Sequence, residues 1–387
     1  MQKILIVSTC SEDWGGSEEL WGRSIPPLQN AGCKIAVVKY HLNKNHPEFV
    51  KLAQRGVDLL EIFPHGSIPA RIKKKLVRSG IKLGKAFKLI PEKGEDFSPF
   101  IKILKQQNPT LVIISQGINF DGLKLAYQCL LLNIPYAVIA QKAVDFYWPT
   151  KEDRGPMLEA LLHAKKSFFV SHHNLRLTEE QFGQRLPNGQ VIFNPVKLSG
   201  QLVPYPKTKD SFKLACLGRL FILDKGQDIL VRILAEQKWR DRPVMISFIG
   251  KGMDENGLKD MAALLNVTQV EFKGQIDDVE NMWKDYHALI LPSRSEGLPL
   301  SMVEAMSAGR PVIISNAGGN TELVEEGKTG FIGYPNEESF GQAMENAWNK
   351  REEWEQIGKN AAAYVAQHVP KSPEKDFAAL ILELLSA

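Results

Sequence analysis

The chain has 387 residues, long enough for two domains of ordinary size, and its hydrophobic share of 44% and charged share of 24% exclude a disordered or fibrous protein. Its formal net charge of +4 is unevenly distributed, because residues 1–195 hold 26 Lys and Arg against 17 Asp and Glu, whereas residues 196–387 hold 22 against 27. This asymmetry suggests that the first half meets something anionic. No aromatic-interleaved basic motif accompanies the excess, so nucleic acid is not the expected partner.

Strand-like and helical segments alternate through the first half of the chain. Residues 3–9 form a short apolar run that ends in a glycine-containing loop at residues 14–17, and a helical stretch continues to about Gln29. Further strand-like runs lie at residues 33–40, 57–63, 110–115, 135–141, 167–171 and 190–194. Runs rich in Val and Ile and separated by helix-length segments predict a parallel, doubly wound sheet that is buried on both faces.

A second series of the same kind follows a linker at residues 198–211. Its strand-like runs lie at residues 212–218, 244–252, 270–274, 287–293, 310–315 and 329–333. The tail, residues 337–385, is predicted to be helical with one break at Pro370. The predicted fold class is therefore α/β, with two Rossmann-like doubly wound domains and a C-terminal helical tail. Ligands of such sheets bind at the carboxyl ends of the strands, so we expect a cleft between the two domains.

The domain boundaries follow from this pattern. We place the N-terminal domain at residues 1–197, the C-terminal domain at residues 212–365, and a last helix at residues 366–387 that packs back towards the N-terminal domain. We expect no bilayer-spanning helix, since no uncharged stretch is long and apolar enough, and no secretory signal. The four cysteines lack CxxC or CxxH spacing, which argues against a zinc site or a disulfide scaffold. We expect a cytoplasmic protein.

Two cations flank the first strand of the second domain. Gly218-Arg219 closes that strand, and Asp224-Lys225-Gly226 is predicted to open the following helix. A guanidinium fork, a compact ammonium group and the positive end of a helix together make a clamp for a diphosphate. Alternatively, Arg219 and Lys225 are ordinary surface cations in a loop.

Two further loops of the second domain carry weaker signals. Gly250-Lys251-Gly252 follows a strand, but a tight turn explains this pattern equally well. Gly274, Gln275 and Ile276 lie at the end of the next strand. Their backbone atoms are placed to hydrogen-bond a nucleobase, and a plain connecting loop is the equal alternative.

Two glutamates stand eight residues apart in the segment Ser293–Ser315. Glu296 is predicted to lie in a loop and Glu304 about one turn inside a helix, so that both carboxylates face one pocket at different depths. Carboxylates so placed suit the hydroxyl groups of sugar and ribose. Alternatively, Ser301 to Glu304 forms a capping box, in which the glutamate hydrogen-bonds back to the residue that caps the helix.

The order and spacing of these motifs resemble those of the retaining glycosyltransferases of family 4, which have the GT-B fold of two Rossmann-like domains. The resemblance is specific over residues 212–333, where it also includes Gly318-Gly319 with Glu322. It is looser in the first half, where Gly15-Gly16 and the sequence Asn194-Pro195-Val196 carry it.

The resemblance implies a role for each matching residue. The first domain lies on the acceptor side and the second binds the donor, a nucleoside-diphosphate sugar with UDP or GDP. Arg219 and Lys225 hold the diphosphate, Glu296 the transferred sugar and Glu304 the ribose. The other implied donor-binding residues are Gly15, Gly16, Gly218, Gly250, Gln275, Ile276, Leu298, Leu300 and Ser301.

Three departures from the family pattern stand out. Five residues separate Arg219 from Lys225 where many relatives have four, and Pro299 has no N–H to donate. Many members carry a His near the sugar at the end of the strand that aligns with residues 135–141, whereas this chain has Gln141 there and Gln116 after the preceding strand. The backbone carbonyl at position 141 is the same for either residue, and the Gln amide still donates a hydrogen bond.

The resemblance thus implies a hexosyl-type glycosyltransferase that retains the anomeric configuration in glycan, lipopolysaccharide or glycolipid synthesis. No cofactor is implied, and no Asp-x-Asp triplet suggests a metal. One alternative is a protein that binds a sugar nucleotide without transferring the sugar. The other is a nucleotide-sugar epimerase or a phosphorylase on the same fold.

A basic stretch between Arg71 and Lys93 holds nine Lys or Arg residues and one acid, Glu92. Apolar residues fall at helical spacing along it, which is typical of a helix that lies on an anionic membrane. Such a helix would bring the enzyme to a lipid-linked acceptor. Alternatively, the stretch is a docked helix with a solvated basic face, or two short helices.

Overall fold

The computed structural model of the protein describes residues 2–62, 96–197, 202–207 and 211–386. The basic stretch at residues 71–93 and half of the predicted linker lie outside these ranges. The described chain forms two parallel sheets, one in each half of the sequence, as the alternation of strands and helices predicted.

The N-terminal sheet has seven parallel strands in the order β3-β2-β1-β4-β5-β6-β7. The strands are β1 Lys3–Ser8, β2 Lys34–Lys39, β3 Asp58–Glu61, β4 Leu111–Gln116, β5 Tyr136–Ala140, β6 Lys166–Phe169 and β7 Gly189–Val191. The described helices between them are α1 Gly16–Asn30, α2 Pro47–Gln54, α3 Ser98–Gln107, α4 Leu123–Leu131, α5 Lys151–Leu162 and α6 His172–Phe182. Helices cover both faces of the sheet, so the central strands are buried throughout, which explains why they are continuous apolar runs.

The C-terminal sheet has six parallel strands in the order β10-β9-β8-β11-β12-β13. These are β8 Phe212–Leu217, β9 Val244–Ile249, β10 Val270–Gly274, β11 Ala288–Leu291, β12 Val312–Ser315 and β13 Gly330–Gly333. The helices are α7 Ile222–Lys225, α8 Gln227–Leu234, α9 Gln237–Arg240, α10 Glu255–Leu264, α11 Val279–Met282, α12 Leu300–Ser307, α13 Glu337–Asn349, α14 Trp354–His368 and α15 Pro373–Ser386. A 3₁₀ turn at Asn320–Glu322 precedes β13.

The helical tail has one more break than the sequence suggested. Besides the gap between α14 and α15, a 3₁₀ turn at Arg351–Glu353 separates α13 from α14. The indole of Trp354 donates to the carbonyl of Ala347 across this turn at 2.9 Å. The buried Trp354 ring therefore pins the corner, and neither glycine nor proline marks the break in the sequence.

The last helix, α15, crosses to the other domain and packs on α1. Phe377 is buried there, and its ring lies 5.3 Å from that of Phe168 in β6. The apolar face of α15 thus completes the core of the N-terminal domain. None of the described helices is long and apolar enough to cross a membrane.

Strand order fixes where a ligand can bind. In each sheet the connections change direction between two neighbouring strands, β1 and β4 in the first and β8 and β11 in the second. Loops that leave the carboxyl ends of such strands diverge and open a crevice. The two crevices face each other across the domain boundary.

Candidate active site

A cavity of about 410 Å³ lies between these crevices. Its walls are the loops that follow β1, β4 and β5 in the N-terminal domain, and those that follow β8 and β11 in the C-terminal domain. The predicted site residues that line it are Gly15, Gly16, Gln141, Arg219, Lys225, Glu296, Leu298 and Leu300. Residues that are more than 280 positions apart in sequence thus meet at one place.

The loop after β1 is held in shape by a buried ion pair. Lys39 is 1% exposed, and its Nζ donates to the carbonyl of Glu12 at 2.7 Å and to Glu18 Oε1 at 3.1 Å. The other oxygen of Glu18 accepts from the Gly15 N–H at 3.1 Å and from the Ser17 hydroxyl at 2.7 Å. Because these buried hydrogen bonds hold its backbone and side chains, the loop has a fixed conformation where it lines the cavity. The sequence analysis did not identify this pair.

Arg219 lies at the mouth of the cavity with its side chain half exposed. One of its terminal nitrogens is 2.7 Å from Glu12 Oε1, and the other is 3.4 Å from Asp224 Oδ2. The Glu12 carboxylate comes from the N-terminal domain, so this ion pair bridges the two domains.

Lys225 lies deeper, where its Nζ is 2.6 Å from Glu296 Oε1. The Ser293 hydroxyl donates to the same oxygen at 2.7 Å. The prediction that Lys225 opens a helix was wrong, because it ends the short helix α7. Gly226 then takes a left-handed conformation with φ 64°, and a Cβ there would lie 2.3 Å from the carbonyl oxygen of Pro292. Close packing against that carbonyl separates α7 from α8 and leaves the lysine directed into the cavity.

Asp224 joins the two domains from the floor of the cavity. Its Oδ2 lies 2.9 Å from Lys142 Nζ, which extends from the loop after β5. Its backbone carbonyl accepts from the N–H groups of Arg294 and Ser295, at 2.7 and 3.1 Å. Each cation in the described lining of the cavity, Lys142, Arg219 or Lys225, therefore has a carboxylate partner. Asp224 and Lys142 were missed, since loops from two different domains share no local sequence signal.

Gln141 lies in the cavity wall, but its side chain serves the N-terminal domain. Its Nε2 donates to the carbonyl of Ser17 at 3.1 Å, and its Oε1 accepts from Asn194 at 2.7 Å. Its backbone carbonyl points across the boundary to Gly297, where an added Cβ would lie 2.0 Å from the carbonyl oxygen. Gln116 is buried, donates to the carbonyl of Asp121 and is not part of the lining.

Glu304 does not share a pocket with Glu296, which corrects the prediction. Helix α12 starts at Leu300, so Glu304 is its fifth residue, and it is not among the residues that line the cavity. Its Oε1 accepts the N–H of Lys197 at 3.2 Å, at the end of the N-terminal domain. Burial raises the pKa of Glu304. The capping-box alternative is also wrong, because Pro299 is the cap residue and has no N–H to donate.

A second cavity, of about 570 Å³, adjoins the first and shares Glu12 and Arg219 with it. Gly250 and Gln275 line it, together with the ring of Phe221. Four predicted positions, Gly218, Ile276, Ser301 and Glu304, line neither of these two cavities. The N–H of Gly218 donates to the carbonyl of Ile249, and Ile276 packs on a hydrophobic cluster. Ser301 lies in the first turn of α12.

Glu322 makes a further contact between the domains. Its two carboxylate oxygens accept from the backbone N–H groups of His172 and His173, at 3.0 and 2.7 Å. These groups are the unsatisfied donors at the start of α6, where a carboxylate is favourable. The glutamate of one domain thus caps a helix of the other.

Asp121 is an acid in the cavity wall that the sequence analysis missed. Its Oδ2 accepts from the Ile118 N–H at 3.3 Å. Burial raises the pKa of Asp121 to about 6, although that hydrogen bond and the charge of Lys142 act in the opposite direction. Among the described residues, no three His, Cys, Asp or Glu side chains lie together as metal ligands would.

The raised pKa of Asp121 makes the stability of the protein depend on pH. In the unfolded chain an Asp has a pKa of about 4. The folded state therefore binds this proton more tightly, which stabilises it below about pH 4 and is lost as the pH rises through about 6. We expect Asp121→Asn, which cannot ionise, to melt at a higher temperature than the unmodified protein at about pH 8 and at the same temperature at about pH 4. Thermal melts at both pH values test this.

The control for these melts is Asp260→Asn, a change at an exposed carboxyl on α10. Its melting temperature relative to the unmodified protein should be the same at both pH values. A constant offset for Asp121→Asn would mean that Asp121 does not titrate in this range.

Comparison with known proteins finds a family match in the C-terminal half. Residues 202–364 match the family model described as glycosyl transferases group 1. Protein CapJ of Staphylococcus aureus is 26% identical over 233 residues, which cover 58% of this chain and 59% of CapJ. D-rhamnosyltransferase WbpZ of Pseudomonas aeruginosa is 27% identical over 224 residues, which cover 55% of this chain and 58% of WbpZ. The chain thus spans less than two thirds of the length of these relatives.

Solved structures resemble the chain over its whole length. Anabaena HepE in complex with UDP and glucose has a TM-score of 0.72 at 18% identity, over 99% of this chain and 100% of that one. Sucrose-phosphate synthase from Thermosynechococcus elongatus has a TM-score of 0.73 at 16% identity, over 100% of both chains. At these identities the likeness shows the fold alone, and the fold is GT-B, as predicted. Residues 202–364 are therefore similar to the glycosyl transferases group 1, within a chain that has the GT-B fold.

Proposed function

We propose that the protein is a glycosyltransferase, which moves a sugar from a nucleoside-diphosphate sugar to an acceptor hydroxyl with retention of the anomeric configuration. The observation that supports this most strongly is the cavity between the domains, into which Arg219, Lys225 and Lys142 all project. The cavity adjoins the region that is similar to the glycosyl transferases group 1, which supplies Arg219 and Lys225.

In this proposal the cations act on the leaving group. Departure of the nucleoside diphosphate concentrates negative charge on the β-phosphate. Arg219 and Lys225 are held by neighbouring side chains before the reaction, so they need little reorganisation to stabilise that charge. The departing phosphate accepts the proton of the acceptor hydroxyl, and neither a metal nor a further cofactor is required.

Gln141 and Glu296 would act on the sugar. The carbonyl of Gln141 faces the domain boundary, where a dipole stabilises positive charge at the anomeric carbon of a dissociating donor. Glu296 accepts from the sugar hydroxyls beside its ion pair with Lys225. Glu304 is assigned to the ribose by family resemblance alone, because its carboxylate accepts the Lys197 N–H and a ribose hydroxyl would have to replace that donor.

The names of the relatives support a particular donor and pathway class. HepE was solved with UDP and glucose, and a relative from Mycolicibacterium smegmatis is named a GDP-mannose-dependent mannosyltransferase. We therefore propose a UDP- or GDP-sugar as donor. The proposed acceptor is a glycan or a lipid-linked saccharide in polysaccharide synthesis, reached from the cytoplasmic side.

A panel of UDP-, GDP- and ADP-sugars tests the proposal. Because a bound ligand stabilises the fold by mass action, the true donor should raise the melting temperature, and its incubation with acceptor should release the nucleoside diphosphate. If a sugar nucleotide raises the melting temperature but no acceptor leads to release of the nucleoside diphosphate, the protein binds sugar nucleotides without transferring the sugar. Proton NMR of the new linkage should show the anomeric configuration of the donor, and EDTA should not change the rate.

The basic stretch at residues 71–93 is proposed to contact an anionic membrane. Sedimentation with phosphatidylglycerol and phosphatidylcholine vesicles, at low and moderate salt, tests it. Binding to the anionic vesicles alone, weakened by salt, is the expected result.

A further inference from the structure

Three aromatic residues in a row stand exposed in the loop that follows β5. Phe146, Tyr147 and Trp148 have 64%, 49% and 56% of their surface exposed. They follow Gln141 and Lys142, which line the cavity, by only a few residues. We call residues 145–148 the aromatic loop. Exposed aromatic rings cost free energy in water, so three together indicate a surface that binds something.

The backbone of the aromatic loop is fixed from below by two buried amides. Gln181 is 0% exposed, and its Nε2 donates to the carbonyls of Val144 and Tyr147 at 2.8 and 2.9 Å. Asn119 is 2% exposed, accepts the Val144 N–H at 3.2 Å, and donates to Gln181 Oε1 at 3.0 Å. A network with this much burial is costly to break, so the loop is preorganised.

A ring beneath the loop sets the position of Tyr147. Phe120 is buried, and its ring centroid lies 5.6 Å from that of Tyr147 at an angle of 32°. Phe120 has a φ of 74°, which is rare for a residue that is not glycine. Such a conformation is kept where surrounding contacts enforce it, and it is often found at ligand sites. Phe120 also belongs to the loop after β4, which lines the cavity through Ile118 and Asp121.

The charges around the aromatic loop are not those of a membrane-binding surface. Asp145 is exposed within it, and the next helix begins with Lys151, Glu152, Asp153 and Arg154, so that three acids stand against two bases. Aromatic residues that enter an anionic membrane are accompanied by Lys and Arg. Here carboxylates stand beside flat apolar rings, an arrangement that suits a saccharide, which has apolar C–H faces and hydroxyl donors at its edges.

We propose that the aromatic loop binds saccharide rings of the acceptor, beyond the residue that carries the reacting hydroxyl. The rings of Phe146 and Trp148 stack on the sugar faces, and Asp145 accepts from hydroxyl groups. The position is consistent with this role, because the loop belongs to the N-terminal domain, opposite the residues proposed to hold the donor. The inference rests on the proposed function and names its acceptor as an oligosaccharide.

Fluorine NMR of the protein labelled with 5-fluorotryptophan tests the inference. The signal of Trp148 is assigned by its loss in Trp148→Phe, and the probes are maltotriose, mannotriose and triacetylchitotriose. We expect at least one of them to shift the Trp148 signal. Its affinity should fall roughly tenfold in Phe146→Ala, because a stacking contact is lost. Tyr334→Ala, a change at an aromatic residue 61% exposed on the other domain, is the matched control and should leave the affinity unchanged.

Two outcomes would overturn the inference. One is that none of the three saccharides shifts the Trp148 signal. The other is that phosphatidylglycerol vesicles broaden this signal and the saccharides do not, which would make the loop a membrane contact. Thermal shift with the sugar-nucleotide panel, done on the same samples, separates the two proposals. A protein that binds a donor without a Trp148 response fails only the inference, and one that binds saccharide without any donor fails the proposed function.

Discussion

Replacing Gly297 by alanine is expected to keep the two domains apart and to lower transfer activity at least about 100-fold, since a displacement of about 1 Å at a reacting centre has effects of that size. An added Cβ would lie 2.0 Å from the Gln141 carbonyl oxygen and 3.0 Å from Val170 Cγ2, both in the other domain. Neither contact is possible without movement. Gly319 approaches Ser171 across the same boundary, where an added Cβ would lie 2.5 Å from Ser171 Cβ, an atom that cannot move without its backbone.

The matched control for this change is Gly257→Ala. Gly257 lies in the helix α10, where an added Cβ has nothing within 4 Å. We expect it to retain activity and to gain about 0.5–1 kcal/mol in the free energy of unfolding, as glycine-to-alanine changes in helices do. Small-angle scattering should show a larger radius of gyration for Gly297→Ala than for the unmodified protein, and no change for Gly257→Ala. If Gly297→Ala is as compact as the control, the added Cβ does not keep the domains apart. If it is expanded but as active as the control, the closed arrangement is not needed for transfer.

Replacing Lys225 by alanine is expected to lower turnover by about 100- to 1,000-fold, the range found when one fixed donor to a developing anion is removed. Glu296 is 5% exposed, and the change removes its cation so that the Ser293 hydroxyl remains as its donor. A buried carboxylate without its partner destabilises the fold, so we expect a lower melting temperature as well. The double variant Lys225→Ala with Glu296→Gln should recover part of the stability and none of the activity.

Lys238→Ala controls for the loss of a positive charge from the same domain. Lys238 is half exposed and pairs with Glu236 on the surface. Its replacement should change neither the melting temperature nor turnover appreciably, because exposed ion pairs contribute about 0–1 kcal/mol. Steady-state kinetics with the donor found in the sugar-nucleotide panel make the comparison. A threefold difference in turnover corresponds to about 0.65 kcal/mol of activation free energy. If the turnover of Lys225→Ala lies within threefold of that of Lys238→Ala, Lys225 has no part in the proposed mechanism.

The sheets were predictable because the strands are buried on both faces. Such strands must be apolar throughout, so a run like that of β4 can be recognised without any knowledge of its neighbours. Helix bounds depend more on packing. The separation of α7 from α8 depends on the carbonyl of Pro292, which lies 66 residues after Gly226, and no local pattern carries that information.

The site was predictable where its residues follow a motif and unpredictable where the two domains meet. Arg219, Lys225 and Glu296 were found because they belong to one domain and stand at fixed spacing. The direction of Glu304 was missed, since its partner is the N–H of Lys197 in the other domain. Asp121 was missed because an aspartate in a loop is ordinary, and only its burial distinguishes it.

The pairing of each cavity cation with a carboxylate has a consequence for ligand choice. A ligand does not fill a vacant positive site but competes with anions that are already bound and cannot diffuse away. Chloride or a single carboxylate carries one negative charge, the same as the carboxylate that each cation already has as its partner. Exchanging one for the other therefore gives little binding free energy. A diphosphate concentrates more negative charge on adjacent oxygens than Glu12 or Glu296 can supply, and both Arg219 and Lys225 line the cavity that it would enter. The built-in acids thus act as a threshold, which selects for multiply charged ligands before any base or sugar is recognised.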